Sequence, residues 1–283
     1  MSLRATAIVA SVAAASVCFA PAVAASQTSR PRNGVAARTT FLDPEPDIVH
    51  NCIEPVPEAA SVAHVAPGTP PLTLDLHVVL DGIDYGRAER VIAQMRVAYD
   101  PLHVTIKPTY YLPSLRRRVL VDEDGDDVHT NDVDKLFVAL KSLFRDGKRP
   151  PGTDVVYLMT DRNLVSGGDD AVAGIADCIG GVRFPSRAFA MGEVDAEDGA
   201  DAPISIGPVT FFSNTSAKIA AHEVAHLLGA QHHYANCAEG VTSEFGEASV
   251  CTLMFNDVGL VSLAMGTLEA SVVRGHVEMF AAP

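Results

Sequence analysis

The segment His222-Glu223-Val224-Ala225-His226-Leu227-Leu228-Gly229-Ala230-Gln231-His232 constrains this chain more than any other part of it. Residues four apart on an α-helix share a face, so a helix here sets His222 and His226 side by side. Glu223 follows His222 by about 100° around the axis, which places its carboxylate beside that pair. Gly229 can adopt a positive φ without a Cβ penalty, so it ends the helix and turns the chain back. His232 arrives three residues later. The spacing predicts three imidazoles meeting at one point with a carboxylate next to them. That is the ligand set of an open, catalytic zinc site, whereas structural zinc sites use four protein ligands, usually including thiolates. With 10 His and 21 Gly in 283 residues, the chance expectation for the whole pattern is on the order of 10⁻⁵ to 10⁻⁴.

Hydrophobic periodicity sets this segment in a larger domain. "LTLDLHVVL" (72–80) reads as a strand. "GRAERVIAQMRVAYD" (86–100) spaces Val91, Ile92, Met95, Val97 and Ala98 as a helix does. "LHVTIKPTYYL" (102–112) alternates like a strand. "NDVDKLFVALKSLFRDG" (131–147) reads as a helix from a capping Asn131 to a closing Gly147. "DVVYLMT" (154–160) is the short apolar run of a buried strand. This order predicts a mixed sheet with helices packed on it. An edge strand with a glycine bend follows in "GIADCIGGVRF" (174–184), then a short strand in "PVTFF" (208–212), the helix 214–228 and a last helix near 267–280. Asn214 has two readings: cap of the helix 214–228, or glycosylation acceptor in Asn214-Thr215-Ser216. The acidic runs "DEDGDD" (122–127) and "DAEDGAD" (195–201) read as solvated loops. The first fails the calcium-loop template, with Asp127 where Gly is required and Val133 where Glu is required, so a calcium ion has no support.

The full pattern resembles that of the metzincin metalloproteases. The resemblance implies zinc on His222, His226 and His232 and Glu223 as the catalytic general base. It also implies a tight turn downstream with a methionine beneath the zinc. "CTLMFN" (251–256) supplies Met254 at a fitting distance, core packing being the other reading of that methionine. The implied fold is α+β, over 72–283: a mixed, mostly parallel twisted sheet packed with helices, an edge strand that aligns peptide substrate, the active-site helix, the Met-turn and a C-terminal helix. Cys251, shortly before Met254, looks most like the reprolysin (adamalysin-type) branch. His233 stands where that branch usually has Asp. Asn256 stands where astacin- and serralysin-type enzymes have a tyrosine ligand.

The implied activity is zinc-dependent hydrolysis of peptide bonds in proteins, by Glu-assisted attack of zinc-bound water. The expected partner is a protein or peptide substrate. A catalytically inactive exported binding module with the same fold is the alternative, against which intact Glu223 and all three ligands weigh. A peptidase taking its third ligand from a glutamate on a later helix is a further reading, against which His232 weighs.

At the N-terminus, Arg4 precedes the apolar run "AIVASVAAASVCFA", and "PAVAAS" follows with small residues at Ala22 and Ala24. This is the pattern of a secretory signal peptide over 1–25, and the run falls short of the ~20 residues that span a bilayer. Residues 26–71 are rich in Pro, Ser, Ala and Thr without a period, and read as an N-terminal arm or short pro-segment. The expected product is secreted, without stable membrane insertion once the leader is removed. Cys18 leaves with that leader, so Cys52, Cys178, Cys237 and Cys251 face an oxidising compartment. Of the three possible pairings, Cys237–Cys251 closes a short loop beside the histidines and leaves Cys52–Cys178. Cys52 has a second reading, as a thiolate that occupies the open zinc position and keeps the enzyme latent. A net charge of −14, with no basic cluster beyond Arg116-Arg117-Arg118, argues against nucleic acid as a partner.

Overall fold

One sheet with two apolar faces organises the molecule. The computed structural model describes residues 51–53, 68–111, 119–120, 130–167, 170–194, 204–206, 209–211, 214–235, 237–243, 246–255 and 264–281. All of them belong to a single unit, Asp43–Pro283. The expected leader, most of the arm, and the acidic runs 122–127 and 195–201 lie outside the described residues.

The strands in chain order are β1 (Leu72–Asp81), β2 (Val104–Tyr111), β3 (Val155–Thr160), β4 (Val165–Ser166), β5 (Asp170–Ala171), β6 (Gly174–Ala176), β7 (Phe189–Glu193), β8 (Ile204–Ile206), β9 (Val209–Phe211), β10 (Cys237–Ser243) and β11 (Gly246–Cys251). The helices are α1 (Tyr85–Tyr99), α2 (Val133–Ser142), α3 (Thr215–Leu227) and α4 (Thr267–Phe280). The main sheet runs β2-β1-β3-β7-β6. Its first four strands pair in parallel, and β6 closes the edge antiparallel to β7. The sheet is therefore mixed and mostly parallel. The pairs β4–β5, β8–β9 and β10–β11 form separate hairpins.

Alternate residues of a strand face opposite sides. Leu74, Leu76, Val78 and Leu80 of β1, with Val155, Tyr157 and Met159 of β3, pack with α1, α3 and α4. Val79, Val156, Leu158, Phe189 and Met191 face the other way, onto Val133, Leu136, Phe137 and Leu140 of α2. Helices cover both faces, so all six residues of β3 are buried, which is why that strand reads as an unbroken apolar run. At its end, buried Asp81 accepts from Arg162 Nε at 2.7 Å and from Thr160 Oγ1 at 3.1 Å, tying β1 to β3.

Three sequence expectations change. The helix expected over 131–147 is α2, which stops at Ser142; Asp146 and Gly147 have φ of 57° and 63° and cannot continue it. Its cap is Asp132, whose carboxylate accepts from the N–H groups of Asp134 and Lys135. Asn131 instead offers its carbonyl to Val165 at 2.9 Å. The strand expected over 174–184 is only β6; Gly180, with φ of 72°, leads into a 3₁₀ turn at Gly181–Arg183. Strand β7 was not anticipated, because "FAMGE" is short and carries Ala and Gly, which are weak strand formers.

Cys52 is disulfide-bonded to Cys178. Asn51 bridges to Ile179, and Cys52 N–H donates to the Ile179 carbonyl at 3.1 Å. Cys52 is thus bonded to another sulfur, and the free-thiolate reading of it does not describe this structure.

Candidate metal centre

Helix α3 carries the motif and is buried along nearly its whole length. Small residues make this possible: Ala217, Ala220, Ala221 and Ala225 let it lie close to both the sheet and α1. Asn214 caps it, its Oδ1 accepting from Ala217 N–H at 2.9 Å, and is itself buried. Tyr99 Oη of α1 donates to the Ala221 carbonyl at 2.9 Å. The helix ends as its glycine requires. Gly229 has φ of 89°, its N–H donates to His226 O at 2.8 Å, and Ala230 N–H donates to Ala225 O at 3.0 Å. This pair of bonds is a Schellman cap.

The cap also orients a ligand candidate. The Ala230 carbonyl it positions accepts from His226 Nδ1 at 2.8 Å. The Leu253 carbonyl accepts from His222 Nδ1 at 2.8 Å. A carbonyl can only accept, so both rings carry a proton on Nδ1, and in the neutral form each presents a bare lone pair at Nε2. Those two Nε2 atoms lie 3.0 Å apart, and His232 Nε2 lies 3.0 Å from one and 3.1 Å from the other. Two lone pairs cannot hydrogen-bond each other. Their approach is repulsive unless a cation lies among them. The triangle therefore fits a metal that prefers imidazole nitrogen, and outer carbonyl partners of this kind are what metal-ligating histidines use. Burial, then the neighbouring His226, Lys218 and His232, hold the His222 pKa well below the ordinary value, which keeps it neutral.

The segment 252–255 is fastened from two sides. Lys218 Nζ of α3 donates to Phe255 O at 3.2 Å. From α4, the buried Glu269 carboxylate accepts from Thr252 Oγ1, from Gly266 N–H at 2.7 Å, and from Met254 N–H. Met254 is fully buried in the turn that follows Leu253. Burial pushes the Glu269 pKa up to about 7 from 4.5, against the pull of these hydrogen bonds. A raised carboxyl pKa means the folded state holds the proton more tightly. The resulting stability is fully present below pH 4.5 and is lost as pH rises through about 7. At about 1.4 kcal/mol per pH unit, the loss is about 3 kcal/mol. Urea titrations of the metal-free protein between pH 4 and 8 are expected to show it, and Glu269→Gln to flatten that part of the profile. An unchanged profile in the variant would remove Glu269 as its source.

The structure thus brings His222, His226 and His232 together. Glu223, buried beside them on α3, lays its side chain over β6 at Gly174. Cys251 is disulfide-bonded, and Cys237 is its register partner across the β10–β11 hairpin. The side chain of His233 lies outside the described residues. Tyr157, the Leu253 carbonyl and Glu269 carry no signal in the sequence pattern; the fold alone brings the first two to the motif and the third to the turn behind it. Tyr157 is fully buried, and burial followed by the charge of Glu223 raises its pKa far above the ordinary value.

No family model and no curated protein matches the chain. Among solved structures, it is similar to metalloproteinase-II from Bacteroides fragilis, at 16% identity and a TM-score of 0.44, over 75% of this chain and 54% of that one. The chain thus spans about half the length of that protein. It is similar to archaemetzincin from Methanopyrus kandleri, at 14% identity and a TM-score of 0.41, over 73% of this chain and 96% of that one. The same protein from Archaeoglobus fulgidus, complexed with malonate, gives 12% identity and a TM-score of 0.41, over 70% and 99%.

Proposed function

We propose that this protein is a secreted zinc-dependent endopeptidase that hydrolyses peptide bonds in proteins, of metzincin type and reprolysin-like in the Cys251–Met254 spacing. One observation carries the reading: the Nε2 atoms of His222 and His226 lie 3.0 Å apart while each Nδ1 is engaged by a carbonyl, with His232 completing the triangle. Neutral imidazoles in such an arrangement suit zinc. A zinc ion held by these three residues supplies positive charge that polarises a peptide carbonyl and acidifies water. Glu223 takes the proton of the attacking water on its carboxylate and passes it to the leaving amine. Leu253 and Ala230 hold two of the imidazoles in one tautomer and one orientation, so no rearrangement is needed during turnover. The turn containing Met254 holds His222 through the Leu253 carbonyl. The leader pattern over 1–25 and the disulfide-bonded Cys52, Cys178 and Cys251 support export to an oxidising compartment.

Elemental analysis and a protein-substrate gel test the reading together. About one zinc per chain is expected. Cleavage should stop on addition of a chelator and return with zinc. Zinc without cleavage of any protein substrate would favour the inactive binding module.

A further inference from the structure

Gly174 of β6 and Gly192 of β7 are direct register partners in the antiparallel pair at the sheet edge. Directly opposed residues present their side-chain positions on the same face, and here that face meets α3. A methyl group at Gly174 would stand 2.6 Å from Ile219 Cγ2 and 2.9 Å from both Cγ and Oε1 of Glu223. A methyl at Gly192 would stand 2.7 Å from the same Ile219 Cγ2 and 2.1 Å from Tyr157 Oη. Ile219 and Glu223 are four residues apart, on one face of the helix. Neither glycine has a positive φ, so space, and not backbone conformation, demands glycine at both places.

We infer that the Gly174–Gly192 pair is a seat for α3 that sets the position of the Glu223 carboxylate, making both glycines positioning residues for hydrolysis. The inference rests on the proposed role of Glu223 as general base. The two obstructions differ in kind. Ile219 is β-branched and stiff at χ1, so a methyl meeting it lifts the helix. The Glu223 carboxylate ends a flexible side chain, so a methyl meeting it turns the carboxylate away while the helix stays. A methyl at Gly174 would meet both groups. A methyl at Gly192 would meet Ile219 and the hydroxyl of Tyr157, a β3 side chain that feels the charge of the same carboxylate.

The test is Gly174→Ala, alone and combined with Ile219→Ala, in the zinc-loaded protein with a fluorogenic peptide that the wild type cleaves. Gly174→Ala is expected to lower kcat between about 10- and 100-fold, as small misplacements of a catalytic group do. KM and zinc content are read in the double variant, where α3 is back in place and both should match the wild type. Adding Ile219→Ala removes the helix obstruction, so the melting temperature should recover while kcat stays low. The double variant also supplies a folded protein if the single one does not fold. Recovery of kcat together with melting temperature, or wild-type kcat in Gly174→Ala, would overturn the inference. A wild type that cleaves no peptide would count against the proposed activity alone. Crystal structures would still decide on the seat: a displaced Glu223 carboxylate in the double variant supports it, and an unmoved one overturns it.

Discussion

Glu223→Gln is expected to lower peptide hydrolysis by about 10²–10⁴-fold, the range a positioned general base contributes, with zinc still bound. The two effects separate because the three Nε2 atoms form the cluster without the carboxylate. Gln keeps the size of the side chain over Gly174, so the seat is undisturbed and only proton transfer is removed. Zinc content after dialysis should match the wild type. The rise in melting temperature on adding zinc should match too, since it reports binding to the native state. Near-normal turnover in this variant would sink the assignment of Glu223 as base.

His226→Ala is expected to abolish both properties at once. It removes one vertex of the nitrogen triangle, and affinity for zinc should fall by more than the ~10–100-fold that loss of an outer partner costs. It also leaves the buried Ala230 carbonyl without its imidazole donor, which costs about 1–3 kcal/mol. The metal-free variant should therefore melt below the metal-free wild type, and zinc should no longer raise its melting temperature. Zinc retained at wild-type affinity would mean that the ion is held elsewhere. Measured side by side, the two variants distinguish a group that moves a proton from one that holds the ion.

The motif was legible because its geometry is local. One helical period and one glycine determine where His222, His226 and His232 go, and eleven consecutive residues contain them all. The sheet strands rich in β-branched and aliphatic residues, β1 and β3, were legible for the same reason. What fixes the site from outside the motif was not. Leu253 meets His222 across 31 residues of sequence, and Glu269 meets Thr252 across 17, with no periodicity linking them. Strand β7 hid behind Ala190 and Gly192, whose small size suits the space under α3 and weakens the strand signal. Even the helix ends of α2 turned on local competition, Asp132 taking the cap that Asn131 could have provided.

The bond between Cys52 and Cys178 encloses the chain across a separation of 126 residues. Within that covalent ring lie β1, β2, β3 and β6, while the three histidines lie beyond it. Any cut made between the two cysteines leaves both pieces joined. Processing between Cys52 and β1 would pass unseen on a non-reducing gel, appearing only when the sulfur bond is opened. A segment ending in Cys52 and severed before β1 would travel with the enzyme as an attached second chain, so the count of polypeptides and the count of molecules would no longer agree.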